Sequence, residues 1–176
     1  MRIVGGKYRG RNLVAFDGDK IRPTSDKVRE SVFNILQFGL SGADFLDLFS
    51  GSGAMGIEAL SRGVNSVTFN DFSRDSIAVL KKNLEKIKVE GNYTVKNLDA
   101  VTFVKNCTNK FDIIYIDPPY KSDLGLKVLP FIAELLKDDG VAIFEDEKPF
   151  SQIIDNLIIT DQRKYGRVYL TFFKKG

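Results

Sequence analysis

Apolar positions along this chain switch back and forth between two periods. Asp44 to Phe49, Val64 to Asn70, Tyr93 to Asn97, Phe111 to Ile116 and Val141 to Phe144 are short apolar runs that read as strands. The fourth is apolar enough for burial on both faces. Between them the spacing turns helical. Ile57, Ala59 and Leu60 begin one stripe, closed by Gly63, while Ile77, Leu80, Leu84 and Ile87 share one face of a longer helix from Ser73 to Lys88. A short helix runs from Asp99 to about Asn106 and another from Leu124 to Leu136, followed by a turn at Asp139-Gly140. Strict alternation of strand and helix predicts an α/β domain with a mostly parallel sheet covered on both faces.

The two ends depart from that alternation. Arg2 to Val14 reads as a small β-hairpin of two short strands around a glycine-rich turn. Thr24, Ser25 and Asp26 all suit the cap of a helix in which Val28, Val32, Ile35 and Leu36 recur, running to about Phe38 and ended by Gly39. Leu157 to Thr160 and Arg167 to Phe173 form a closing antiparallel hairpin around Lys164-Tyr165-Gly166. With no repeat, linker or low-complexity stretch, one domain over 1–176 is expected.

Composition narrows the chemistry. The chain has 176 residues, 43% of them apolar, and that length suffices to bury about two-thirds of the unfolded surface. Its apolar runs fall short of a membrane span and no signal-peptide pattern opens it, so the cytoplasm is expected. A single cysteine, Cys107, excludes an internal disulfide, and the absence of histidine excludes Ser-His-Asp and Cys-His catalysis. No metal site is expected. Net charge is only +3, but residues 1–36 carry eight Lys/Arg against four acids, leaving −1 for the rest. Such a localised basic face is a footprint for phosphate.

Candidate chemistry gathers at strand ends. Asp117-Pro118-Pro119-Tyr120 stops the fourth strand, because two prolines fix φ and remove two backbone donors. The corner offers one carboxylate, bare carbonyls and an aromatic ring. The Asp117 side chain and the Pro118 carbonyl can each accept one N–H of an exocyclic amine whose ring stacks on Tyr120. Gly51-x-Gly53-x-x-Gly56, between a strand and a helix, fits either a dinucleotide or S-adenosylmethionine. Asp47 favours the latter, since a carboxylate there repels a pyrophosphate and serves an ammonium. Asp71 suits ribose hydroxyls and Asp99 the adenine amine, with Phe72 packing on the adenine; Phe49 and Ala100 count with the same site. For phosphate the candidates are Lys7, Arg9, Arg11, Arg22 and Arg29, with Thr24 and Asp26 beside them at the helix start.

These segments together resemble the RsmD-type bacterial 16S ribosomal RNA guanine-N2 methyltransferases over nearly the whole chain. Arg2-Ile-Val-Gly-Gly-Lys-Tyr-Arg-Gly-Arg11 and Arg22-Pro-Thr-Ser-Asp-Lys-Val-Arg-Glu30 with Phe33-Asn34 are the most specific elements. Asp47 to Ala59, Asp117 to Tyr120 and Lys164-Tyr-Gly166 complete the set. Asn70-Asp71-Phe72-Ser73 departs from it: many members carry Glu at the ribose position and a second acid two residues on. The resemblance implies a Rossmann-like class I S-adenosylmethionine-dependent fold. It also implies methyl transfer to the N2 of a guanine in an assembled or assembling small ribosomal subunit, by a monomer. In that reading 1–38 contact RNA and 39–176 form the catalytic core. The alternatives are amino methylation of DNA adenine or protein glutamine, and a non-catalytic RNA-binding assembly factor.

Overall fold

The computed structural model describes residues 1–15, 25–119 and 122–176. Its helices are α1 (Asp26–Leu36), α2 (Ala54–Ser61), α3 (Arg74–Ile87), α4 (Ala100–Asn106) and α5 (Leu124–Leu135). Its strands are β1 (Asp44–Asp47), β2 (Ser66–Asn70), β3 (Asn92–Lys96), β4 (Phe111–Ile116), β5 (Leu136–Asp146), β6 (Leu157–Tyr165) and β7 (Val168–Lys175). They form one sheet in the order β3-β2-β1-β4-β5-β7-β6, with β1 to β5 parallel and β7 antiparallel to both β5 and β6. This is the mostly parallel α/β sheet expected from the alternation and the Rossmann-like arrangement that the resemblance implies.

Helix starts follow local hydrogen-bond chemistry. Ser25 caps α1 by accepting the Val28 N–H, Ser73 caps α3 through Ser76, and Asp99 caps α4 through Thr102. A 3-10 turn at Gln37–Gly39 ends the first helix where Gly39 was expected to end it. One apolar layer joins the opening segment, α1, α2 and α3 to one face of the sheet through Ile3, Val32, Phe33, Phe45, Ile57 and Leu80. A second packs α4 and α5 on the other face through Leu46, Phe103, Ile114, Leu129 and Phe144.

Three elements differ from expectation. The opening segment folds back on itself with a single antiparallel bridge, Arg2 to Asn12, rather than two strands. Its backbone bonds go partly to its own turn and partly to α2, which competes for the N–H groups a ladder would use. At Asp139-Gly140 the expected turn is a bulge inside β5: Leu136 already pairs with Phe111 before the register shifts. Finally, β6 continues through a second irregularity to Tyr165, which makes the closing hairpin long. Among the described residues no helix is long and apolar enough to cross a membrane.

Candidate functional site

Four acids stand at the carboxyl ends of the parallel strands. Asp47 ends β1, Asp71 follows β2, Asp99 lies three residues beyond β3, and Asp117 follows β4. Because these strands are adjacent, the sheet brings to one edge what the chain spreads over 70 residues. The glycine turn joins them. Gly51 (φ 51°) and Gly53 (φ 82°) both take left-handed backbone, and Gly53 opens α2. A Cβ on Gly53 would lie 2.2 Å from Leu80 Cδ1, and one on Gly56 would lie 2.2 Å from Phe69 Cε1. Bare backbone is therefore demanded both by conformation and by the close seating of α2 on β2.

Each acid on this half already holds a backbone group. Asp47 is buried and accepts the Gly56 N–H at 3.0 Å. Burial pushes its carboxyl up to about 7; the Gly56 hydrogen bond works against that shift and the nearby Asp71 charge adds to it. Asp71 accepts the Gly51 and Ser73 N–H groups, both at 2.8 Å, so it fixes the glycine turn and the start of α3 together. Asp99 accepts the Thr102 N–H and hydroxyl, with buried Ala100 opening α4 beside it. Phe72 projects from this edge, 76% exposed, while Phe49 is half-buried against the second apolar layer. An ionisable carboxyl, a turn without side chains at Gly51 and Gly53, a second carboxylate and an exposed ring fit a ligand carrying an ammonium, hydroxyls and a flat base. That is the chemistry of S-adenosylmethionine.

The other half of the edge is built from β4 and β5. The Leu48 N–H donates to the Tyr115 carbonyl at 3.1 Å, tying the turn after β1 to the strand that delivers Asp117. Pro118 is buried and Pro119 exposed, and the Pro119 carbonyl accepts the Ser122 N–H and hydroxyl. The last β4–β5 couple is Ile116 with Phe144, so one step further Asp117 stands beside Glu145. Glu145 is buried and accepts the Tyr115 hydroxyl. Burial first, then the Glu145 and Asp117 charges, raise the Tyr115 hydroxyl well above its ordinary range, so it stays a donor. A cleft of about 270 Å³ opens beside this corner, lined among others by Pro118, Pro119, Phe144, Glu145 and Lys148.

The basic opening segment is placed differently from its expected role. Arg29 is fully buried: its guanidinium donates to the Arg2 carbonyl and to Asp26, with Glu58 3.6 Å from its Nε. It holds the fold together and leaves the phosphate-facing set. Asp26 is likewise an internal partner, bridging Arg29 and Arg2. Lys7 pairs with Glu90, and Arg11 donates to the Ile87 carbonyl at the end of α3; Arg9 is exposed. Arg22, Thr24 and Tyr120 lie outside the described residues.

Sequence reading missed the residues that join these parts. Glu58, fully buried, accepts the Val4 and Gly5 N–H groups and the Arg62 Nε–H, each at 2.8 Å. Asn83 exchanges hydrogen bonds with the Val14 backbone and donates to the Ser52 carbonyl in the glycine turn. Asn70 donates to the Leu48 and Leu98 carbonyls, stitching the ends of three strands. A signal was present for Glu58, the one charge in the otherwise uncharged helix 54–61. Neither Asn83 nor Asn70 carried one.

The family described as "Conserved hypothetical protein 95" matches residues 1–174. Ribosomal RNA small subunit methyltransferase D of Escherichia coli strain K12 is 40% identical over 140 residues, covering 80% of this chain and 68% of that protein. The Haemophilus influenzae protein of the same name is 35% identical over 84% of this chain and 79% of its own length. The solved structure of the Escherichia coli yhhF protein aligns with TM-score 0.88 at 33% identity, covering 99% of this chain and 97% of that one.

Proposed function

Since the chain belongs to the "Conserved hypothetical protein 95" family, that of the RsmD-type ribosomal RNA methyltransferases, we propose that it methylates the exocyclic N2 of one guanine in 16S ribosomal RNA. It is a methyltransferase of ribosomal RNA that uses S-adenosylmethionine. The finer reading, transfer to the N2 amine of guanine, rests on the corner after β4, while the small-subunit target and a monomeric enzyme are proposed from the resemblance to the RsmD-type family. One carboxylate and one proline carbonyl stand there at the same sheet edge as the glycine turn, and that single observation carries it.

S-adenosylmethionine, when bound, supplies an electrophilic methyl carbon. Asp47, the Gly51–Gly56 turn, Asp71 with Phe72, and Asp99 with Ala100 hold it. Asp117 and the Pro118 carbonyl accept the two N2 hydrogens and aim the nitrogen, whose lone pair is otherwise delocalised into the purine. The new N–C bond would replace the cofactor's sulfur–methyl bond, the electron pair staying on sulfur as a neutral thioether, and the N2 proton released would pass along its hydrogen bond to Asp117 and from there to water. Positioning two reactants supplies on the order of 7–11 kcal/mol, which fits a protein without a histidine base. The guanine must leave its stack at a cost of a few kcal/mol, and stacking on Tyr120 returns roughly 1–3 kcal/mol. Arg9, flanked by Lys7 and Arg11, and Arg22 hold phosphates of the substrate RNA.

The test is transfer of labelled methyl from S-adenosylmethionine to small subunits lacking the modification, followed by nucleoside analysis. N2-methylguanosine is the expected product. A methylated adenine, or label only on DNA or protein glutamine, would overturn the assignment.

A further inference from the structure

Lys7, in the basic opening segment, lies at the end of α2 away from the glycine turn. The Lys7 N–H donates to the carbonyl of Ser61, the last residue of α2, whereas the glycine turn sits at the first. Eight residues of helix separate them by about 12 Å. A substrate strand laid over Asp117 therefore needs positive charge nearer the corner.

The closing hairpin carries it. Asp146, the last residue of β5, pairs with Tyr169, and Val168 pairs with Tyr165, so Gly166 and Arg167 form a tip that overshoots the end of β5. At about 3.3 Å per residue, it rises roughly 7–10 Å beyond Asp146. Only β5 stands between β7 and β4, so the tip is two strand spacings, about 10 Å, to the side of the Asp117 corner. Arg163, Lys164 and Arg167 crowd these five residues, and the two nearest the turn are exposed. Lys164 lies over the Tyr169 ring at 5.2 Å, and Arg163 pairs with Asp161. Lys148, exposed on the wall of the cleft beside Pro118 and Pro119, continues the positive run toward the corner. The acids at the strand end, Asp146 and Glu147, lie below the tip, and the Asp146 carboxylate accepts the Glu147 N–H.

We propose that the β6–β7 tip, through Lys164 and Arg167 with Lys148 beside the cleft, is a second RNA-binding site that grips phosphates flanking the target base. It rests on the ribosomal RNA reading above, and divides the work: the opening segment anchors a remote part of the RNA, and the tip presses the reacting strand onto the corner.

The experiment compares two double variants of equal charge loss. Lys164→Ala with Arg167→Ala removes the tip cations. Lys110→Ala with Lys174→Ala removes two exposed cations near the opposite edge of the sheet. Binding to unmodified small ribosomal subunits is measured across a salt series, and S-adenosylmethionine affinity alongside. The tip variant should bind at least ~10-fold more weakly at 0.1 M salt, with a slope of log K on log salt shallower by about 1.4–1.8, as for two lost phosphate contacts. The control should match the wild type, and cofactor affinity should be the same in all three. Equal binding by tip and control variants overturns the tip, even if the wild type still methylates the subunit. A wild type that neither binds nor methylates the subunit overturns the ribosomal RNA reading and the tip with it.

Discussion

The reacting edge has two halves that are built on opposite principles. On the β1–β3 half, Asp47, Asp71 and Asp99 each accept a backbone N–H of the next turn or helix, so the acids proposed to hold the cofactor also hold the frame. On the β4–β5 half, two prolines have no N–H to offer, and Asp117 stands next to a second carboxylate, Glu145, that takes the Tyr115 hydroxyl. The first half ties its carboxylates to backbone N–H groups; the second joins side chain to side chain, Tyr115 to Glu145, at a corner without proline N–H groups. Substitutions on the two halves should therefore fail in different ways, one in stability and cofactor affinity, the other in rate.

The sharpest break comes at Asp117. Asp117→Ala should lower the rate of methyl transfer by at least ~10³-fold, through lost aim and a lost charged acceptor, while melting temperature and cofactor affinity stay near the wild type. A fully active variant would remove Asp117 from the reaction. Glu58, under the cofactor half, should behave in the reverse way. Glu58→Ala leaves Arg29 buried beside the gap and releases the Val4 and Gly5 N–H groups, a loss of about 3–5 kcal/mol. At roughly 2–4 °C per kcal/mol for a domain of this size, calorimetry should show a fall of about 6–20 °C.

Gly53→Ala probes both properties at once. A left-handed alanine costs about 1–2 kcal/mol, and its Cβ would crowd Leu80, so isothermal titration should show cofactor affinity about tenfold lower. A further effect is a change of slope at Asp47. Its folded value of about 7 lies above the ordinary 3.8, so the proton binds more tightly in the folded chain. That contribution to stability is complete below pH ~3.8 and is lost as pH rises through 7. Asp47→Asn keeps an acceptor for the Gly56 N–H and should flatten melting temperature against pH over this window. Parallel profiles for the two proteins would show that folding does not shift the Asp47 carboxyl.

Local signals carried most of the architecture. The alternation of periods, a cap among Thr24, Ser25 and Asp26, the glycine turn before α2 and the proline corner after β4 are each decided within a few residues, so they can be read from the chain alone. The β5 bulge was not legible, because an Asp-Gly pair signals a turn whether or not Leu136 has already found Phe111. Arg29 misled for a related reason. A cation among other cations reads as a phosphate ligand, yet packing between the opening segment and α2 encloses it beside Asp26 and Glu58. Conversely, the short run Arg163 to Arg167 drew little notice in sequence and gains meaning only because β7 runs antiparallel to β5.

What the chain by itself determined was the order of elements and the two motifs that end β1 and β4, since period, caps and prolines act over one or two turns. Tertiary structure alone decided which charges are enclosed and which face out, and that Asp117 stands beside Glu145. Those facts depend on contacts between residues 27 to 69 positions apart, such as Arg2 with Arg29 and Val14 with Asn83, where enclosure removes water and a partner must replace it.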